Sequence, residues 1–262
     1  MSITNFDGNV DAKYLKEMAK LLEDIKDTSY QMMNLSPGDI ALDIGCGPGV
    51  DAYEMAKIVG KEGKVIGLDN DPEMIKDAQE NFIATNLEFA IGDVKNLPFP
   101  DGYFDSVRAE RLFQVLPPEF DEDDVIQEII RVTKKGGMIV VVDTDWGSAS
   151  LDYEDQELTN RLLNFFADIC RPNGFAGRKF LGLLKRNNIQ MTEVKVKPVI
   201  TLDFHETPFG EWLTREALQH EVTTPKEMDT WNQELADKTD NGEFYSCVNM
   251  VLVAGKKGNY ED

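Results

Sequence analysis

Asp43, Gly45, Cys46, Gly47 and Gly49 end an apolar run that begins at Ile40, and a helical pattern opens at Asp51. This spacing predicts a buried parallel strand turning sharply onto a helix, the place where α/β folds hold nucleotide-like ligands. Glycine lets the backbone take positive φ and lets a ligand lie against the main chain, with the N–H groups of the next helix facing it. A tight turn without any ligand is the plainer reading, and three glycines in five residues behind an aspartate argue against it. The ligand class follows from the details. A dinucleotide loop reads G-x-G-x-x-G. Gly45 and Gly47 fit that pattern, but Val50 stands where the last glycine belongs, and Gly49 comes one residue early. A carboxylate at Asp43 also repels a pyrophosphate dianion and suits a cation.

S-adenosylmethionine has no phosphate and carries an ammonium and a sulfonium. The run Leu42-Asp43-Ile44-Gly45-Cys46-Gly47-Pro48-Gly49 resembles the first motif of the class I S-adenosylmethionine-dependent methyltransferases. Further segments continue the resemblance in order. Asp69 ends a second predicted strand, residues 64–69, roughly 20 residues after the glycines, where an acid accepts hydrogen bonds from a ribose diol of any adenosine cofactor. Its plainer role is that of a helix cap or surface acid. Met74, on the following helix, is either an adenine contact, as the resemblance implies, or simply core. Gly92-Asp93-Val94, after a third strand at 87–91, matches the family's Gly-Asp-hydrophobic element; there the resemblance implies that Asp93 accepts the adenine amine and Val94 packs near the base. Residues 97–105 resemble the family's proline-rich turn into a fourth strand at 104–109. Asn70 and Glu110 complete the expected cofactor set.

The fourth strand's exit carries Arg111, and a fifth strand at 138–142 leads to Asp143-Thr144-Asp145-Trp146. A similar Asp-Thr-Asp-Trp is frequent in the branch resembling ubiquinone/menaquinone-biosynthesis methyltransferases, placed where it can border the substrate; a turn with a surface tryptophan is the equally weighted plainer reading. Tyr14, Arg111, Asp145, Trp146 and His205 are the expected acceptor-side residues.

Composition narrows the classes. With 262 residues the chain can bury one full α/β core. A net charge of −21 opposes nucleic-acid and anionic-membrane partners. No apolar run reaches the ~18 residues of a membrane span, residues 1–10 lack a secretory pattern, and the expected location is cytoplasmic. Three scattered cysteines and two histidines predict no disulfide framework and no metal site.

The expected architecture is a single domain over 1–262, a Rossmann-like, doubly wound, seven-stranded mixed sheet. Its core spans about 36–200 and 243–256, and a helical cap comes from 1–34 and 203–241. A further stripe, Leu158, Leu162, Phe165, Phe166 and Ile169, is expected to pack on the sheet. The expected function is methyl transfer from S-adenosylmethionine to a small organic acceptor, with a homodimer left open. A non-catalytic S-adenosylmethionine-binding regulator and an NAD(P)-dependent oxidoreductase are the competing readings.

Overall fold

The computed structural model describes residues 12–258. In chain order its elements are α1 (Ala12–Leu21), α2 (Glu23–Met33), β1 (Ile40–Ile44), α3 (Val50–Val59), β2 (Lys64–Asp69), α4 (Pro72–Asn81), β3 (Leu87–Ile91), β4 (Phe104–Glu110), α5 (Glu122–Val132), β5 (Thr133–Leu151), α6 (Gln156–Phe165), α7 (Ala176–Arg186), β6 (Ile189–Thr201), α8 (Glu211–Gln219), α9 (Pro225–Asp240) and β7 (Ser246–Lys257).

Local chemistry starts the helices where the chain needs them. Asp71 caps α4 by accepting from Glu73 N–H, with Pro72 in the first turn, and Asp121 caps α5 in the same way. Thr224 and Glu227 form a reciprocal capping box at α9. Among the described residues seven strands make one sheet in the order β3-β2-β1-β4-β5-β7-β6. β1 to β5 pair in parallel, while β7 is antiparallel to both neighbours. The chain direction of the winding reverses between β1 and β4, so the ligand crevice lies at the C-terminal ends of these two strands. Helices α5 and α7 cover one face through Ile126, Ile129, Phe180 and Leu183. The other face is covered by α2 and α3 through Ile25, Met33, Met55 and Val59.

Strands β2 and β3 have the expected bounds, whereas β5 runs well past the expected 138–142. The outer parts of β5, β6 and β7 pair with one another, which extends them beyond the parallel core. The stripe on α6 packs on the outer part of β5 at Leu151 and, beyond the expectation, also on the later helices: Leu158, Leu162, Phe165 and Phe166 join Leu151, Trp212, Leu213, Met228 and Trp231 in a third apolar cluster, while Ile169 is exposed. The helix widens into a π turn at Phe166–Cys170 and so turns Ile169 off the stripe. The sequence reading also missed α7, although Ala176, Phe180, Leu183 and Leu184 show a helical period.

Candidate active site

The glycine turn is built from backbone. Gly45, Gly47 and Gly49 all have positive φ, at 70°, 50° and 86°. At Gly49 a Cβ would also stand 2.7 Å from Phe89 and 2.9 Å from Ala78, so this early glycine serves close packing of α3 against β3 and α4. The N–H groups of Gly45 and Cys46 donate to the Leu68 carbonyl at 2.7 and 3.0 Å. Asp69 locks the next residue: its Oδ2 accepts from Gly47 N–H at 2.8 Å and its Oδ1 from Asp71 N–H at 3.0 Å. Gly92 N–H donates to the Asp69 carbonyl at 3.0 Å, which brings the third motif beside the second. Burial raises the Asp69 pKa, and the backbone donors oppose that rise. Met74 and Val94 are buried. Asn70 and Asp93 are exposed, and Asp93 Oδ1 accepts from Lys95 N–H. Above the loop lie Leu15 of α1, 3.3 Å from a Cβ placed on Gly47, and Leu112, 3.4 Å from one on Gly45. α1 is fixed across to α4 by Lys16 and Asp77, 2.6 Å apart.

Beneath the loop two of the expected cofactor-side acids meet an arginine. Asp43 and Glu110 are both buried against Arg108. Arg108 donates to Asp43 Oδ1 at 3.0 Å and to Ser29 Oγ at 2.8 Å, and its other nitrogen pairs with Glu110. Lys26 of α2 donates to Asp51 Oδ2 at 2.6 Å and to Glu110 Oε1 at 2.8 Å, and Tyr30 hydroxyl bonds Asp51. Three acids and two bases from α2, β1, α3 and β4 thus share one dry site. Burial raises the Asp43 pKa to about 7 against the pull of Arg108. Burial works the same way on Asp51 and Glu110, but Arg108 and Lys26 outweigh it and hold both below the usual carboxylate range. Cys46, also expected at the cofactor, is buried, and burial together with Asp43 and Asp69 pushes its thiol well up. It is no nucleophile.

The acceptor-side residues divide. Arg111 leaves β4 with φ 52°, a left-handed conformation that a side chain rarely takes, and its N–H is held by Val142 carbonyl at 2.8 Å. Its Nε lies 3.6 Å from Glu110. Asp143 at the end of β5 accepts from Gln114 and Thr144 N–H at 3.0 and 2.8 Å, and burial raises its pKa to about 7. Trp146 Nε1 donates to Gln114 Oε1 at 2.7 Å. Asp145 is buried and spent on Arg178, 2.7 Å away. His205 is exposed on the short turn Phe204–Glu206, with its ring near Phe204. Tyr14 lies on α1, and its side chain is outside the described residues. An open surface hollow lined by Pro118, Phe120, Lys179 and Arg186 touches none of the expected site residues. Among the described residues no His, Cys, Asp and Glu cluster is arranged to hold a metal.

The sequence reading missed Lys26, Tyr30 and Arg108. An arginine alternating inside the apolar β4 was a readable sign that a buried acid must face it, whereas Lys26 carried no sign at all. Gln114 reaches the site only through long-range folding.

The strand order, the glycine turn after β1 and the acid ending β2 define a class I methyltransferase. A family model described as a methyltransferase domain matches residues 35–188, and the chain belongs to that family. An uncharacterised 37.1 kDa protein of a Streptomyces fradiae transposon is 34% identical over 178 residues, 66% of this chain and 50% of that protein. A demethylmenaquinone methyltransferase of Desulfitobacterium hafniense is 38% identical over 119 residues, 44% of this chain and 46% of its own. The chain thus spans about half the length of these relatives. Among solved structures, a methyltransferase-like protein of Bacillus halodurans has a TM-score of 0.63 at 20% identity, covering 89% of this chain and 99% of its own. The geranyl diphosphate C-methyltransferase of Streptomyces coelicolor scores 0.56 at 14% identity, covering 94% and 82%. At these identities the two structures show the fold alone. No helix among the described residues is long and apolar enough to cross a membrane.

Proposed function

We propose that this methyltransferase takes its methyl group from S-adenosylmethionine and gives it to a small organic acceptor, with residues 12–258 acting as one unit. The observation that carries the donor is the electrostatics of the loop. In a dinucleotide site the N-terminus of the helix after the glycines faces a pyrophosphate. Here the first turn of α3 holds Asp51, which with Asp43 and Glu110 is paired to Arg108 and Lys26; three acids against two bases leave the network at most one net negative charge, and Asp69 adds another carboxylate at the same turn. That field opposes a dianion and favours a donor with an ammonium and a sulfonium.

The residues fit such a donor. Each Asp69 oxygen accepts one backbone N–H and keeps lone-pair capacity for a ribose hydroxyl. Met74 and Val94 offer apolar walls for adenine, with Asp93 at its edge. Asn70, Gly45, Gly47, Gly49 and the backbone of Cys46 complete the cradle. When bound, the donor supplies a methyl carbon already activated by sulfonium. The chain's own work is to orient the acceptor and to exclude water. Leu15 and Leu112 cover the loop, while Arg111 and Trp146 flank the ends of β4 and β5, where the acceptor is to be held. Asp145 acts through Arg178, and His205 has no part in this reading.

Relatives named for demethylmenaquinone and, in Halobacterium salinarum, for arsenite support small acceptors, although each matches less than half of this chain. The net charge of −21 argues further against a nucleic-acid acceptor. The test is to incubate the pure protein with methyl-labelled S-adenosylmethionine and a small-metabolite extract, then to follow label by mass spectrometry. Label should enter a small molecule. Label that stays on the donor, with NAD(P) reduced or oxidised instead, would overturn the proposal.

A further inference from the structure

Gln114 stands between the ends of β4 and β5, on the short turn Phe113–Val115 that follows β4. Three hydrogen bonds fix it. Its backbone N–H donates to Asp143 Oδ2 at 3.0 Å, its carbonyl accepts from Asn173 N–H at 3.2 Å, and its side-chain Oε1 accepts from Trp146 Nε1 at 2.7 Å. An indole N–H can only donate, so the side chain must turn its oxygen to Trp146 and its N–H2 end away. That end has no partner among the described residues. Nor is it one of the polar atoms sealed in the described core without a partner, so it opens on solvent, although Gln114 as a whole is only 4% exposed.

A donor held in this way is preorganised. Its backbone is tied on both sides and Trp146 sets the plane of its amide, so little freedom is left to lose when a ligand binds. A ligand that closes over the N–H2 strips it of water, and one that offers no acceptor leaves it unpaired at a cost. The spot therefore selects for an oxygen. Because the amide is uncharged and a chain of net charge −21 repels anions, the matching oxygen is a neutral one. The wall beside it is made of rings: Trp146 is half-buried, with Phe166 and Phe209 edge-on to it at centroid distances of 5.0 and 6.4 Å. We infer that Gln114 Nε2 donates to a neutral oxygen, carbonyl or hydroxyl, of the methyl acceptor and so selects acceptors that carry one. This inference rests on the methyltransferase reading for the identity of the ligand but not for its test.

The test titrates the nitrogen-15-labelled protein with acetophenone, 1-phenylethanol, benzoate and α-methylstyrene, the last matching acetophenone in shape but lacking its oxygen. Nuclear magnetic resonance reads two groups, the Gln114 side-chain N–H2 and the Trp146 indole N–H. Acetophenone or 1-phenylethanol should shift the Gln114 signals saturably; which of the two binds more tightly tells carbonyl from hydroxyl. The styrene should bind roughly tenfold or more weakly than the better of them, and benzoate more weakly than that probe. Gln114→Glu keeps an acceptor for Trp146 but replaces the donor by a carboxylate. Its indole signal should stay near the parent's, and its preference for oxygen over the styrene should vanish, which a role confined to holding Trp146 would not bring about. Gln114→Met should lose the preference as well, and the probes on the parent protein carry the test if neither variant folds. Equal binding of the oxygen probes and the styrene, tighter binding of benzoate, no saturable shift at the Gln114 amide, or a preference kept in Gln114→Glu would overturn the inference. Calorimetry with S-adenosylmethionine on the same sample separates the two readings: oxygen selectivity without donor binding sinks the donor, and the reverse sinks the role of Gln114.

Discussion

Beneath the glycine loop, between α2 and β4, the buried side chains are charged: Lys26, Asp43, Asp51, Arg108 and Glu110. Around the outer half of β5 they are rings: Tyr153, Phe166, Phe209, Trp212 and Trp231. The two materials do different work. A buried ion network adds little net stability, because desolvation offsets the attraction, but it accepts only one arrangement of its members. Packed rings stabilise strongly and impose weaker directional demands. The donor side is therefore positioned by charge, and the aromatic side supplies much of the local packing energy.

Two core substitutions test that division with the largest effects. Arg108→Leu leaves three buried carboxylates short of a counter-ion, which should cost about 3 to 5 kcal/mol. Donor affinity should fall with it, because α2, α3 and β4 lose their common tie. Trp231→Ala should cost a similar ~3 to 5 kcal/mol by opening a cavity, since Trp231 is fully buried and bonds the Phe209 carbonyl. It should leave donor affinity nearly unchanged. Urea denaturation and calorimetry on both variants check the split, and an equal loss of affinity in the two would erase the distinction.

A smaller effect is expected at Asp69. Asp69→Ala removes an acceptor for the ribose and for Gly47 and Asp71 N–H, and should weaken the donor by about tenfold or more. Unchanged donor binding in that variant would remove Asp69 from the site.

The pH profile sharpens the comparison further. Asp43 and Asp143 have pKa values raised to about 7 by burial. A raised carboxyl contributes stability that is full below its unfolded value near 3.8 and is lost as pH rises through 7. Asp51 and Glu110 are lowered, so their contribution is present at neutral pH and lost as pH falls. Asp43→Asn keeps an acceptor for Arg108 and removes one titrating charge. Its melting temperature should decline less than the parent's between about pH 4 and 7. Identical slopes would show that Asp43 does not titrate there. The smallest change belongs to Cys46→Ala, which should keep most turnover, because the thiol is buried and far from ionising. Lost turnover with intact donor binding would point to a covalent role.

The division also explains what the sequence revealed. Gly45, Gly47, Gly49 and Asp69 were legible because each answers a local demand, a positive φ or a strand-end acceptor, within a short stretch of chain. Strands β1 and β2 and the parallel part of β5 were legible for the same reason: runs buried on both faces leave continuous apolar segments. The direction of a carboxylate was not legible. Asp43 and Glu110 turn inward because Arg108 and Lys26 meet them there, and Lys26 is 84 residues from Glu110. His205 stood out in the sequence because histidine suits acid–base work wherever it falls; its place on a short exposed turn could not be read there.

The central claim is that the acidic glycine turn selects a cationic, phosphate-free donor. Calorimetry with S-adenosylmethionine and with NAD, on the same protein at the same ionic strength, tests it directly. The account predicts saturable binding of S-adenosylmethionine and none of NAD; tight NAD binding with no response to S-adenosylmethionine would contradict it.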